Sequence, residues 1–119
     1  MTKFCTDGFL DPIPAKLATA TRYTVTAGQP TNMGEVVSLA LASAALTGAN
    51  FATANGDVSG RKSTCTPPTD IAITASGSAD HCVIDDGTDF YVTTVPAQVL
   101  TAGGTVTPAA HDIEIADPQ

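Results

Sequence analysis

The sequence predicts an all-β fold, an antiparallel β-sandwich or small barrel, with an extended N-terminal arm and a short N-terminal helix. An immunoglobulin-like arrangement of strands is one form that this class can take. Short stretches of alternating apolar and polar residues recur through the second half of the chain, with Gly-containing turns between them. Thr and Ala are the most frequent residue types, and the β-branched Thr suits a half-buried pleated surface.

The length of 119 residues suits one domain with a modest core. Hydrophobic residues make up 43% of the chain and charged residues 14%, so a folded domain is expected rather than a disordered chain. We predict an N-terminal arm over 1–10, a single β-rich domain over 11–115 and a flexible tail over 116–119.

The elements that open the predicted domain are a helix and a strand. Asp11 and Pro12 are typical of the N-cap and the first position of a helix, which predicts a helix over roughly 12–20. Alternation over 22–26 predicts a strand, and the Gly and Pro that follow predict a loop over 28–35.

The middle of the chain contains one ambiguous segment and one predicted hairpin. In the segment 36–47, apolar residues alternate as in a strand, but the Ala content would also suit a helix; we favour an extended structure. Residues 50–66 are predicted to form two strands joined by a turn, because Asn55-Gly56 is a strong turn signal. Pro67-Pro68 is predicted to end the second strand.

The second half of the chain gives the clearest pattern of strands. Each predicted strand alternates or is rich in β-branched residues, and each is bounded by a turn that contains Gly. The predicted turns are 76–78, Asp86-Gly87 and 101–104. The predicted strands are 70–75, 80–85, 89–95, 104–107 and 111–115.

The charge distribution excludes some classes of partner. The net charge is −7, and the segment 63–119 holds eight acidic residues and no basic one. Binding to a nucleic-acid backbone requires Lys and Arg in place of counterions, so no nucleic-acid partner is expected. An anionic membrane surface is excluded for the same reason, and no apolar run or secretory signal is expected to place the chain in a membrane. The five basic residues are Lys3, Lys16, Arg22, Arg61 and Lys62.

Three cysteines, at positions 5, 65 and 82, do not form the pattern of a disulfide framework. One bridge between Cys65 and Cys82 would require their strands to pair. We favour the alternative, in which these are buried free thiols that behave as small hydrophobic side chains.

The residue types needed for catalysis or metal binding are present without a supporting spacing. His81 and Cys82 are neighbours on a predicted strand and should point to opposite faces. Cys65, Cys82, His81 and His111 are zinc-type ligands, but they lack closely spaced pairs. Carboxylates over 85–89 leave a calcium site open, although the spacing is not that of an EF-hand. We therefore predict no enzyme activity, no cofactor and no metal site.

The glycine-rich segment 55–62 superficially suggests a phosphate-binding loop. Its glycines are too close together for that motif, and Arg61 intervenes before Lys62. We interpret the segment as a turn that carries two exposed cations, which could dock an acidic partner.

Four short phrases resemble a family of small structural proteins of tailed bacteriophages. They are DGFLD at 7–11, ANGDVSGRK at 54–62, YVTT at 91–94 and DIEIADP at 112–118. The resemblance covers most of the chain in order, but segment 36–49 matches nothing in it. It implies a virion component of the capsid decoration, or cement, type.

This resemblance implies a role for the chain at the surface of a phage head. The expected partner is the major capsid protein, with self-association as a trimer, and the expected location is the capsid surface after synthesis in the host cytoplasm. The arm, with Phe4, Phe9 and Leu10, would lie across capsid subunits, and Arg61 and Lys62 would add charged contacts. Binding only to the assembled shell would stabilise it.

Two other classes of function stay open at this point. One is a different virion component, such as a tail tube, head–tail connector or fibre-base protein. The other is a host-attachment β-sandwich that binds a sugar or an ion, although a chain with six aromatic residues and no Trp offers few sugar-stacking platforms.

Overall fold

The β-strands of the fold come mainly from the second half of the chain, and short helices come from the first half. The computed structural model describes residues 6–57 and 59–115. The helices of this part are α1 (Asp7–Leu10), α2 (Pro12–Leu17) and α3 (Met33–Ser38), with a 3₁₀ turn at Gly48–Asn50. The strands are β1 (Arg22–Thr26), β2 (Ala40–Ala45), β3 (Phe51–Asn55), β4 (Arg61–Cys65), β5 (Ile71–Ala72), β6 (Gly77–Asp85), β7 (Phe90–Leu100), β8 (Thr105–Val106) and β9 (His111–Ile115).

All strand pairs are antiparallel and form three sheets. The four-stranded sheet has the order β2-β1-β6-β7, the three-stranded sheet β3-β4-β9, and the small sheet pairs β5 with β8. Side chains of all three sheets meet in one hydrophobic cluster, which includes Tyr23 and Ile84, Cys65 and Ile113, and Ile71. The prediction of an all-β, sandwich-like fold is confirmed.

The hairpin formed by β3 and β4 confirms the turn predicted at Asn55-Gly56. Phe51 lies opposite Cys65 and Asn55 opposite Arg61, so the two strands are in register over their full length. The Gly56 amide donates a hydrogen bond to the Gly60 carbonyl across the turn (2.9 Å). Strand β4 also pairs with β9, which places the hairpin beside the last strand of the domain.

The structure differs from the sequence prediction in the first third of the chain. Residues 28–32 contain no helix or strand, as predicted, whereas the end of the predicted loop over 28–35 and the start of the ambiguous segment form helix α3. Its N-cap, Asn32, accepts a hydrogen bond from the Glu35 amide (2.9 Å), and buried Val36 ties the helix to the fold. The extended structure favoured for 36–47 is correct only for β2.

Four further boundaries differ, three in the second half of the chain and one at the N-terminus. The turn predicted at 76–78 lies partly inside β6, and the strand predicted over 70–75 is reduced to β5. The arm predicted over 1–10 is not extended throughout, because Asp7–Leu10 forms a helical turn. Strand β7 continues past the predicted end at 95 to Leu100, since an irregularity in its register accommodates Pro96.

Candidate functional site

The N-terminal helices place large apolar side chains on the surface. Phe9 is 82% exposed and Ile13 is 48% exposed. Asp11, between α1 and α2, has right-handed helical dihedral angles, and its carbonyl accepts a hydrogen bond from the Ala15 amide (2.8 Å). Helical residues four positions apart lie on one side of the helix, so Phe9 and Ile13 share a face.

A groove adjoins this face. It has a volume of about 210 Å³ and lies between α2 and the hairpin that joins β6 to β7. Ile13 and Leu17 form one side of the groove, and Phe90 and Tyr91 lie on the other. We call Phe9, Ile13 and this groove the N-terminal apolar surface. Phe9 and Ile13 could contact an apolar partner, and the groove could receive one of the partner's apolar side chains.

Ion pairs fix the N-terminal helices to both large sheets. Asp11 accepts a hydrogen bond from Nε of Arg61 in β4 (2.8 Å). Lys16 contacts Asp86 (2.6 Å) and Asp89 (3.3 Å) in the β6–β7 hairpin. These ion pairs therefore link α2 and its N-cap to both large sheets.

The Lys16–Asp86 contact makes acid sensitivity of this attachment a testable prediction. Hydrogen bonds from Lys16, and then from the amides of Asp89 and Thr88, hold the pKa of the Asp86 carboxyl well below its usual range. A depressed folded-state pKa contributes stability that is present above the unfolded pKa of about 3.9 and is lost as the pH falls towards the folded value. We therefore expect the urea concentration at the midpoint of unfolding to decrease as the pH is lowered below about 4.

The variant Asp86→Asn isolates this effect. It should unfold at lower urea concentration than the parent protein at neutral pH, and it should lose less of its remaining stability on acidification. Urea titrations at a series of pH values measure both differences. If Asp86→Asn and the parent protein lost the same amount of stability on acidification, Asp86 would not hold α2 against the β6–β7 hairpin.

The cations predicted as docking points are paired within the fold. Arg61 binds Asp11, and its side chain is 19% exposed. Lys62 contacts Asp57 (2.7 Å) and Asp112 (3.3 Å), and its side chain is also 19% exposed. The prediction of two exposed cations is corrected, because packing of the β3–β4 hairpin against α2 and β9 brings these carboxylates into reach.

The remaining predicted docking residues lie in different environments. Leu10 is only 7% exposed, so it belongs to the packed interior and offers no contact area to a partner. Phe9 is exposed, as its predicted role requires. Phe4 lies outside the residues that the structure describes.

Within residues 6–57 and 59–115, the two cysteines and two histidines lie in separate environments. Cys65 and Cys82 are buried free thiols, as predicted. Burial raises the pKa of Cys65 to about 11 and also raises the pKa of Cys82, which keeps both thiols protonated. His81 faces away from Cys82 and bonds to Asp80 through Nδ1 (2.8 Å). Burial lowers the pKa of His111.

The acidic residues at the β6–β7 turn are paired with two different cations. Buried Asp85 binds Arg22 through both carboxylate oxygens (3.0 and 3.2 Å), whereas Asp86 and Asp89 contact Lys16. Within residues 6–57 and 59–115, no three His, Cys, Asp or Glu side chains converge where a metal ion could bind. In the same part of the chain, no helix has the length and apolar character of a membrane span.

Comparison with known proteins finds no relative that would identify the chain. No protein-family model, curated protein or solved structure matches it significantly. The geometry described above is therefore the basis for the functional proposal.

Sequence reasoning missed Ile13 as a surface residue. The sequence predicts a helix over 12–20 but does not assign Ile13 to its inner or outer face. Two prolines flank Ile13, and the buried one is Pro14, so Pro14 faces the interior in place of Ile13. An apolar residue between two prolines at a helix start is the local signal that could have indicated exposure.

Proposed function

We propose that this protein is a capsid decoration (cement) protein, which docks on the assembled head of a tailed bacteriophage through its N-terminal apolar surface. The observation that carries the proposal is the exposure of Phe9 and Ile13 on helices that ion pairs hold in place. The four phrases that resemble small tailed-phage proteins support the choice of partner, the major capsid protein. No catalytic step is required for this role.

The energetics of such docking follow from apolar burial. Covering one large apolar side chain contributes roughly 1.5–3 kcal/mol before ordering costs are subtracted. One such contact is weak in isolation, but many copies on one lattice bind under the same geometry and stabilise the assembled shell over its free subunits. The acidic second half of the chain would keep decorated particles apart in solution.

The N-terminal apolar surface can be tested with one substitution. Phe9→Ala should weaken binding to preformed shells by about ten- to a hundred-fold, because it removes an aromatic side chain that is 82% exposed. Co-sedimentation of purified protein with shells that lack it measures the affinity. Val37→Ala is the matched control, since Val37 is 62% exposed on α3 and lies outside the proposed surface.

Two results would contradict the proposal. Equal binding of the Phe9→Ala and parent proteins would remove the N-terminal apolar surface from the interaction. Virions that contain no copy of the protein would remove the role altogether. A copy number far below that of the capsid protein, measured by gel densitometry, would favour a connector or tail component.

A further inference from the structure

Strand β7 is a long edge strand with one unpaired side. It ends the four-stranded sheet, spans eleven residues and pairs only with β6. Among the described residues, no backbone hydrogen bond links the outer side of Phe90–Leu100 to another segment. Every second residue of such a strand directs its amide and carbonyl groups outward, where they can pair with an added strand.

This edge lacks the charged residues that usually protect edge strands from pairing. The chain has a net charge of −7, yet residues 90–110 contain no Asp, Glu, Lys or Arg. Val99 is 78% exposed on the strand. The irregular stretch around Pro96 interrupts the edge, but residues 90–94 before it and 98–100 after it are in register with β6.

The other edges of the two large sheets are less suited to pairing. Strand β9 carries Asp112 and Glu114, which would repel a second acidic chain. The outer side of β2 is partly covered, because the amides of Thr74 and Ala75 bond to the Leu41 carbonyl (2.8 and 3.3 Å). Strand β3 also has no second partner strand among the described residues, but it spans five residues against the eleven of β7.

A cavity lies directly behind the edge. Its volume is about 480 Å³, and it separates β7 from the segment 106–112. Tyr91, Val95 and Leu100 line it from the strand, and Val106 and Pro108 face them. The same cavity is also lined by Tyr23 of β1 and Cys82 of β6, so it lies against the face of the sheet. Strand addition draws its affinity from backbone hydrogen bonds, and the unpaired side of β7 offers these groups.

We propose that β7 pairs antiparallel with β7 of a second copy of this chain, which joins the two four-stranded sheets across a two-fold axis. Each copy has a net charge of −7, so two copies repel each other. This repulsion opposes contact least at surfaces without charged side chains, and the β7 edge is such a surface. A strand that pairs with itself satisfies the same groups on both copies.

This inference is independent of the docking role proposed above, and it predicts a different symmetry from the trimer that the phage resemblance implies. Sedimentation equilibrium of the full chain, from micromolar to millimolar concentration, should show a reversible change from one copy to two. Hydrogen exchange at the amides of Phe90–Thr94 should slow as the concentration rises, because these amides become bonded in the dimer.

One pair of variants separates edge pairing from a general effect of charge. Val99→Glu should keep the protein monomeric over the same range, with at least a ten-fold weaker association, whereas Val37→Glu adds the same charge on α3 and should leave the dimer intact. Gln98→Glu, at the neighbouring exposed position, provides a second test if Val99→Glu alters the circular dichroism spectrum. A monomer at all concentrations, a trimer, or a dimer that survives these edge substitutions would overturn the proposal.

Discussion

Ile84→Ala is expected to lower the free energy of unfolding by about 3–4 kcal/mol, one of the two largest effects that we predict. Ile84 is 2% exposed on β6 and lies opposite Tyr23 of β1 and Tyr91 of β7, so the truncation leaves a cavity at the centre of the largest sheet. Thermal denaturation should show a Tm lower by roughly 10–20 °C.

The same substitution at Ile13 is the control for this prediction. Ile13 is 48% exposed, so Ile13→Ala should change the free energy of unfolding by less than about 1 kcal/mol. The two variants have the same chemical change and differ in burial. Equal losses of stability would mean that the inter-sheet cluster around Ile84 does not support the fold.

Gly56→Ala is expected to destabilise the protein by about 2–4 kcal/mol, because the β3–β4 turn leaves no room for a side chain. A Cβ atom at position 56 would lie 2.0 Å from the carbonyl oxygen of Ser59 and 2.2 Å from Oε1 of Glu114. The Glu114 side chain can rotate away, but the Ser59 carbonyl belongs to the backbone of the turn. Urea denaturation of the variant measures the cost.

Gly8→Ala provides the matched comparison. Gly8 lies in α1, and a Cβ atom there would meet nothing within 4 Å. Replacement of an exposed helical glycine by alanine should stabilise the protein by up to about 1 kcal/mol. If Gly56→Ala lowered the free energy of unfolding no more than Gly8→Ala does, the turn could not lie as close to β9 as described.

The β-rich character of the chain could be predicted because it rests on local patterns. Alternation in 111–115 sets which side chains face the core, and the apolar run Cys82-Val83-Ile84 is buried throughout in β6. Asn55-Gly56 indicates a hairpin turn without reference to the rest of the fold, and the two strands of that hairpin end at Asn55 and begin at Arg61. Helix α3 also had a local signal, since Asn32 followed by Glu35 is the spacing of a capped helix start, but the preceding Gly and Pro favoured a loop.

The candidate site could be predicted only in part. Phe9 was identified from its size and its position near the chain start, and it is exposed. Its neighbour Leu10 has the same apolar character in the sequence and is buried. Which of two adjacent apolar residues faces the core depends on the angle at which α1 packs, and no pattern within five residues encodes that angle.

The sequence alone specifies a β-rich domain with a predominantly acidic second half and an uncharged stretch over 90–110, because period, turn chemistry and charge are properties of neighbouring residues. The partners of the cations follow from tertiary packing, which brings Lys16 to Asp86 and Arg61 to Asp11 across 70 and 50 residues of chain. Packing also leaves Phe9 and the edge of β7 uncovered. Such contacts depend on how whole sheets and helices are placed against one another, and that placement is a sum of many weak interactions spread over the chain.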